Sequence, residues 1–138
     1  MGLVAAENRA LAEIYFAKFP HDQSLAREEL TPAFRFHHLV EIEGPEAFAE
    51  FMRGVSRAFP DFRFELRHLL AEGDLVAAHY DFTGTQHDTF LGTVPSLGRS
   101  FSTRGMSLFR CTGGRIEELW VAFNSLSMMQ QLGAAPAV

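Results

Sequence analysis

Two adjacent histidines, His37 and His38, and the stretch "ELWVAFNSLSMMQQLG" from Glu118 to Gly133 carry the residue types most able to do chemistry here. Histidine is the one side chain that ordinarily changes charge near neutrality, so it can take or give a proton in a reaction. In an extended segment alternate side chains point to opposite faces, so one ring of the pair must point each way. His38 shares its parity with Phe34 and Phe36, which directs it inward as a candidate base or acid. A histidine hydrogen-bonded within the core satisfies the same pattern. Asn124 can hold a carbonyl or enolate oxygen by hydrogen bonding, but it cannot exchange protons as a carboxylate does. It is also a good N-cap for a helix starting at Ser125. Both roles stay open at this point.

Parity on the last strand adds to the set. Ile116, Glu118, Trp120, Ala122 and Asn124 fall on one face, and Glu117, Leu119, Val121 and Phe123 on the other. A buried acid or amide needs a partner or a polar ligand, so the first face is expected to line a cavity. The second is nearly pure hydrocarbon and is expected to pack on the core or on another subunit. Trp120, Tyr80, Phe82, Phe51, Phe90 and Met106 are the expected walls, with His37, Gln86, His87 and Glu118 as further contacts to substrate. His21, His68 and His79 read as turn or sheet-surface residues. No histidine pair has zinc-ligand spacing and one cysteine cannot build a thiolate site, so no metal is expected. Cys111 reads as a small buried hydrophobe. No G-x-S-x-G elbow, phosphate-binding loop or G-x-G-x-x-G is present, which argues against serine-hydrolase, nucleotide and dinucleotide chemistry.

The elements that would position these residues follow from periodicity. Residues 3–19 read as a helix stopped by Pro20, and "SLAREEL" as a short second helix capped by Ser24. "TPAFRFHHLVEIE" is extended. "GPEAFAEFMRGVSRAFPD" is the clearest helix, with Pro45 at its first position and Phe48, Phe51, Met52, Val55 and Phe59 on one face. From Phe62 the period changes to two. Strands are expected over 62–68, 75–85, 100–111 and 115–123, with turns at "EGD" and "TGG". Residues 86–99 form a loop. A short helix over 125–132 stops at Gly133. Helices first and a strand meander second imply an α+β fold, one domain over 1–138, with the helices gathered on one face of an antiparallel sheet.

Composition limits the partners. The 138 residues include 14 Phe, and the net charge is −5 with no Lys/Arg run. The electrostatic footprint for nucleic acid or an anionic membrane is absent. The N-terminus lacks a long apolar stretch, so neither a signal peptide nor a membrane span is expected. Ala6 stands where a myristoylation signal needs Ser or Thr. A single cysteine is compatible with a reducing cytoplasm, the expected location.

"GPEAFAEFMRGVSRAFPDFRF", "AEGDLVAAHYDFTGTQHDTFLGTVPSLGRSF" and "LFRCTGGRIEELWVAFNSLSMMQQLG" together resemble the SnoaL-like polyketide cyclase and ester cyclase family. The likeness runs in register from about Gly44 to Gly133, and the histidine pair extends it. The resemblance implies a cone-shaped fold of the nuclear-transport-factor-2-like kind, with a curved sheet and helices around a deep apolar pocket. It also implies a dimer or larger oligomer, a small-molecule substrate, and no cofactor. Family cyclases close a ring by intramolecular aldol condensation, with a carboxylate near the end of the last strand as acid/base. This sequence departs from them twice. The usual "W-V-x-F-D" reads "WVAFN", which puts Asn124 in the acid/base position, and "FTGTH" reads "FTGTQH", which puts Gln86 where His is common. The expected activity is cyclisation or isomerisation of a polyketide-like or other apolar metabolite. A binding protein with no turnover is the alternative. An epoxide hydrolase is a third reading; it needs paired carboxylates, and Glu118 is the inward acid the sequence offers.

Overall fold

Switching from period 3.6 to period two near Phe62 marks the start of the strand meander in the computed structural model, which describes residues 2–135. The order is α1 (Leu3–Lys18), a 3-10 turn (Gln23–Leu25), α2 (Ala26–Glu29), β1 (Leu30–His37), β2 (Glu41–Glu43), α3 (Pro45–Ala58), β3 (Arg63–Glu72), β4 (Leu75–Thr85), β5 (Ser100–Thr112), β6 (Arg115–Phe123) and α4 (Ser125–Leu132). The second helix is shorter than the sequence suggests. Asp22 caps the preceding 3-10 turn by accepting the Ser24 N–H, so Ser24 lies inside that turn, and only four residues are α-helical.

Six strands form one curved, unclosed sheet in the order β2-β1-β6-β5-β4-β3. From β3 to β6 it is an antiparallel meander. The expectation of a wholly antiparallel sheet is corrected at one seam, because β1 runs parallel to β6. That seam is narrow. Beyond a register shift after Leu30, regular pairing joins Arg35, Phe36 and His37 to Glu118, Leu119 and Trp120. β2 then covers the outer edge of β1.

The inner face of the sheet packs against α1 and α3. α1 crosses β3 and β4 and presents Ala12, Tyr15 and Phe16; α3 lies against β1 and β2 and presents Phe48, Ala49 and Met52. Val76, Ala78, Tyr80 and Phe82 of β4 all face inward, as alternation requires. Aromatic edges meet aromatic faces through the core, as with Phe16 on Phe64 at 5.0 Å and Phe82 on Phe123 at 4.8 Å between ring centres. Two bulges break the alternation. One between Leu66 and His68 sends His68 outward beside His79. The other, opposite Arg110 and Cys111, takes Glu117 out of the pairing and separates Ile116 from the parity of Glu118.

Candidate functional site

Between the inner face of the sheet and the helices lies a cavity of about 80 Å³. Nine of the fourteen phenylalanines line it, including Phe36, Phe51, Phe82, Phe90 and Phe123. Half-exposed Leu39 marks its rim. The lining comes from α1, β1, the β1–β2 connection, α3 and the connection after it, β3 to β6, the 86–99 loop and α4, so nearly the whole chain contributes. Among the described lining residues the polar groups are few: His38, Tyr15, Tyr80 and Ser107. No carboxylate is among them.

The chain leaves β1 at His37, and His38 turns its ring into this cavity. Its Nδ1 lies 2.8 Å from the Val121 carbonyl oxygen, an acceptor only, so Nδ1 carries the proton. That fixes the tautomer. Nε2 then holds a lone pair, and it is buried with no hydrogen-bond partner. Phe123 packs on the ring at 4.4 Å between centres. Burial holds the His38 pKa below the usual imidazole value, with only partial compensation from Val121. The ring is therefore neutral at pH 7 and able to accept a proton.

Across the cavity wall, the Tyr80 hydroxyl and Ser107 Oγ are 2.6 Å apart and buried. Burial pushes the Tyr80 phenol up to about 12, so it remains a donor. If Ser107 donates to the phenol oxygen, the Tyr80 proton is free to point at a ligand. Gly105 lies directly opposite on β5. A Cβ there would stand 2.7 Å from Tyr80 Cε2, inside any permitted contact, so glycine is what makes room for the tyrosine ring.

Several residues expected at the site are elsewhere. On β6 the cavity wall is Val121 and Phe123, from the hydrocarbon face, while Glu118 and Trp120 lie on the outer face. The partners that a buried Glu118 requires come from β1: Arg35 at 3.1 Å and His37 at 2.6 Å. His37 thus faces away from the cavity, stacked on Trp120 at 5.5 Å. Met106 is 58% exposed on the same outer face. Gln86 is buried, but it serves the loop, where its Nε2 donates to the Asp88 and Val94 carbonyls. His87 is exposed, and its backbone N–H donates to the Ala58 carbonyl. Asn124 is exposed; its Oδ1 accepts the Ser127 N–H at 2.9 Å and caps α4. Phe51, Tyr80, Phe82 and Phe90 do line the cavity. Reading the sequence missed Ser107, whose signal was alternation with Phe109 and Cys111 on β5, and Tyr15, whose signal was helical spacing from Leu11 on α1.

Among the described residues no three His, Cys, Asp or Glu side chains gather to hold a metal. Cys111 is buried and its thiol is pushed up to about 11 by desolvation, which makes it unreactive. No described helix is long and apolar enough to cross a membrane.

The family model for SnoaL-like polyketide cyclases matches residues 8–132. The chain belongs to that family. Among solved structures, this SnoaL-like protein is similar to a candidate SnoaL-like polyketide cyclase from Jannaschia sp. CCS1 at 27% identity. That match covers 99% of this chain and 98% of the other, with a TM-score of 0.88. It is also similar to AclR of Streptomyces galilaeus, a candidate hydroxylase, at 27% identity over 97% of this chain and 85% of that one, with a TM-score of 0.82. An epoxide hydrolase of the LEH-like type from M. tuberculosis shares the fold, with a TM-score of 0.75 at 14% identity over 93% and 90% of the two chains. No curated protein matches the chain. The two-histidine segment and the whole meander lie inside the SnoaL-like region.

Proposed function

We propose that this SnoaL-like protein is a cofactor-independent cyclase or isomerase acting on a polyketide-like or other apolar small metabolite, with His38 as its base. One observation supports this above the others: a histidine with a fixed tautomer and an unpartnered buried lone pair in a largely hydrocarbon cavity. Nε2 takes a proton from a carbon next to a carbonyl. The negative charge that develops on the carbonyl oxygen accepts the Tyr80 hydroxyl proton in a hydrogen bond, backed by Ser107. The proton on His38 then returns to the product. A positioned base is worth ~10²–10⁴ in rate, and holding a flexible substrate folded within aromatic walls adds an orientational contribution. The charge-holding role open to Asn124 passes to Tyr80, because Asn124 is exposed at the α4 N-terminus and does not line the cavity.

A carboxylate-paired epoxide opening fits less well, since no described lining residue is an acid. The outer sheet face exposes Leu70, Met106 and Leu108, and two copies meeting there would cover them. Light scattering on a sizing column checks that association.

The test is exchange of α-carbon protons for deuterium in aryl 1,3-diketones, followed by NMR in heavy water. Wild type is expected to accelerate exchange, and His38→Gln to lose at least about a hundredfold of that acceleration. Stoichiometric recovery of diketone bound but never exchanged would replace this reading with that of a carrier protein.

A further inference from the structure

On the outside of the sheet, directly behind His38, lies a group of charges that the proposed reaction does not use. His37 Nδ1 is 2.5 Å from Glu41 Oε2 on β2, and His37 Nε2 is 2.6 Å from Glu118 Oε2 on β6. Both acceptors are carboxylates, so both ring nitrogens must carry protons for both contacts to be hydrogen bonds. The other oxygen of Glu118 takes Arg35 Nη2 at 3.1 Å, and Arg110 on β5 comes within 3.9 Å of the same atom. Trp120 lies beneath, with the His37 ring on it and the Arg110 guanidinium 5.5 Å from its centre. The Glu118 side chain is only 8% exposed despite being on the outer face. Such a carboxylate is costly unless fully paired. One side chain of β6 therefore grips two side chains of β1, two residues apart, at the three regular pairs of the parallel seam.

That register decides which way His38 points. A slip of one residue would reverse every side chain on β1, sending His38 out and His37 in. It would also part His38 Nδ1 from the Val121 carbonyl, which belongs to the same β6 strand. We propose that His37 is a positioning residue for His38: clasped as an imidazolium between Glu41 and Glu118, it pins the strand register that holds the His38 ring and its tautomer. The inference rests on the reading of His38 as the base. The hydrogen bond to Glu118, foremost, raises the His37 pKa above the ordinary value, while burial keeps that of His38 below it. Two neighbouring imidazoles are thus biased toward opposite protonation states near neutrality, one on each side of the same strand.

Long-range proton–nitrogen correlation spectra of the imidazole rings test this without any substrate. In the wild type at pH 6.5 His37 is expected mostly doubly protonated and His38 mostly neutral with its proton on Nδ1. As pH rises and His37 loses its proton, the His38 Nδ1–H signature should shift or broaden in step. In Glu118→Gln that loss is expected at lower pH. His37→Arg keeps a charge that can reach both carboxylates, and should keep the His38 signature through the whole titration. An ordinary His37 midpoint overturns the proposal, and so does a His38 spectrum indifferent to His37 titration and to Glu118→Gln. Either result leaves the diketone exchange test untouched. Absent exchange with the coupled titration intact would instead reject the base role alone.

Discussion

Filling the cavity should stabilise the protein and abolish the proposed binding of flat apolar molecules. The cavity of about 80 Å³, at ~24 cal/mol per Å³, represents roughly 2 kcal/mol of unrealised packing. Val55 on α3 and Val121 on β6 both border it. Val55→Leu with Val121→Ile adds one methylene at each wall and keeps the β-branch that suits a strand. Each methylene is worth about 0.8 kcal/mol when buried in existing space, so the pair stays beneath the 2 kcal/mol ceiling set by the void. Allowing for imperfect fit, about 1 kcal/mol is expected. Unfolding entropy of ~2.1 cal/mol/K per residue, taken over 138 residues, turns this into a rise in Tm of about 3–4 °C. Calorimetry measures that rise, and the same scan with 2-naphthol measures binding. Wild type at a hundred times the dissociation constant should gain about 2.7 kcal/mol from the ligand, and the filled variant almost none. A double variant that is less stable than wild type, yet still shifts with 2-naphthol, would refute the reasoning.

Other substitutions test separate links of the argument. Glu29 is buried at the end of α2, and its Oε2 has no partner. Desolvation, with help from Glu28, pushes its carboxyl up to about 7 from 4.5. The native state therefore holds a proton that the unfolded chain releases, and stability is lost as pH rises from about 4.5 through 7. Glu29→Gln should match wild type in urea unfolding at pH 4 and exceed it by about 1–3 kcal/mol at pH 8.5, after discounting for solvent screening. An advantage equal at both pH values would contradict this. Asn124→Ala should lower Tm through loss of a cap worth about 1 kcal/mol, whereas Asn124→Asp, which keeps the acceptor at a helix N-terminus, should not. Gly105→Ala should displace the Tyr80 ring from Ser107, at a cost of about 1–3 kcal/mol. Tyrosine fluorescence and the unfolding midpoint report it, and an unchanged pair would count against the tight approach.

Local pattern was enough to reveal most of the elements. Pro45 and the apolar spacing behind it mark α3, and the period-two run from Phe62 marks the meander. Alternation also separated the two faces of β6 correctly beyond Glu117, but it could not say which face turns inward. A polar face carrying Glu118 was expected to need a ligand. Its partners in fact come from Arg35 and His37, more than eighty positions earlier. Pairing across that distance leaves no trace in a sliding window, which is also why the parallel seam was not foreseen. Bulges hide in the same way, since one extra residue near Glu117 changes parity without changing composition. The inward turn of His38 was legible because Phe34 and Phe36 set its parity. Asn124 was balanced between two roles on sequence grounds, and the Ser127 amide takes its oxygen.

The seam between β1 and β6 joins an early strand to the last strand of the sheet. Contacts so far apart along the chain form at the greatest loop-closure cost and tend to come late in folding. During synthesis, β1 waits for β6 to emerge before it has a parallel neighbour. A nascent chain halted short of Val121 carries β1, β2 and α3 but has no carbonyl to orient the His38 ring. The base proposed at His38 would then gain its fixed tautomer in the same late event that completes the sheet.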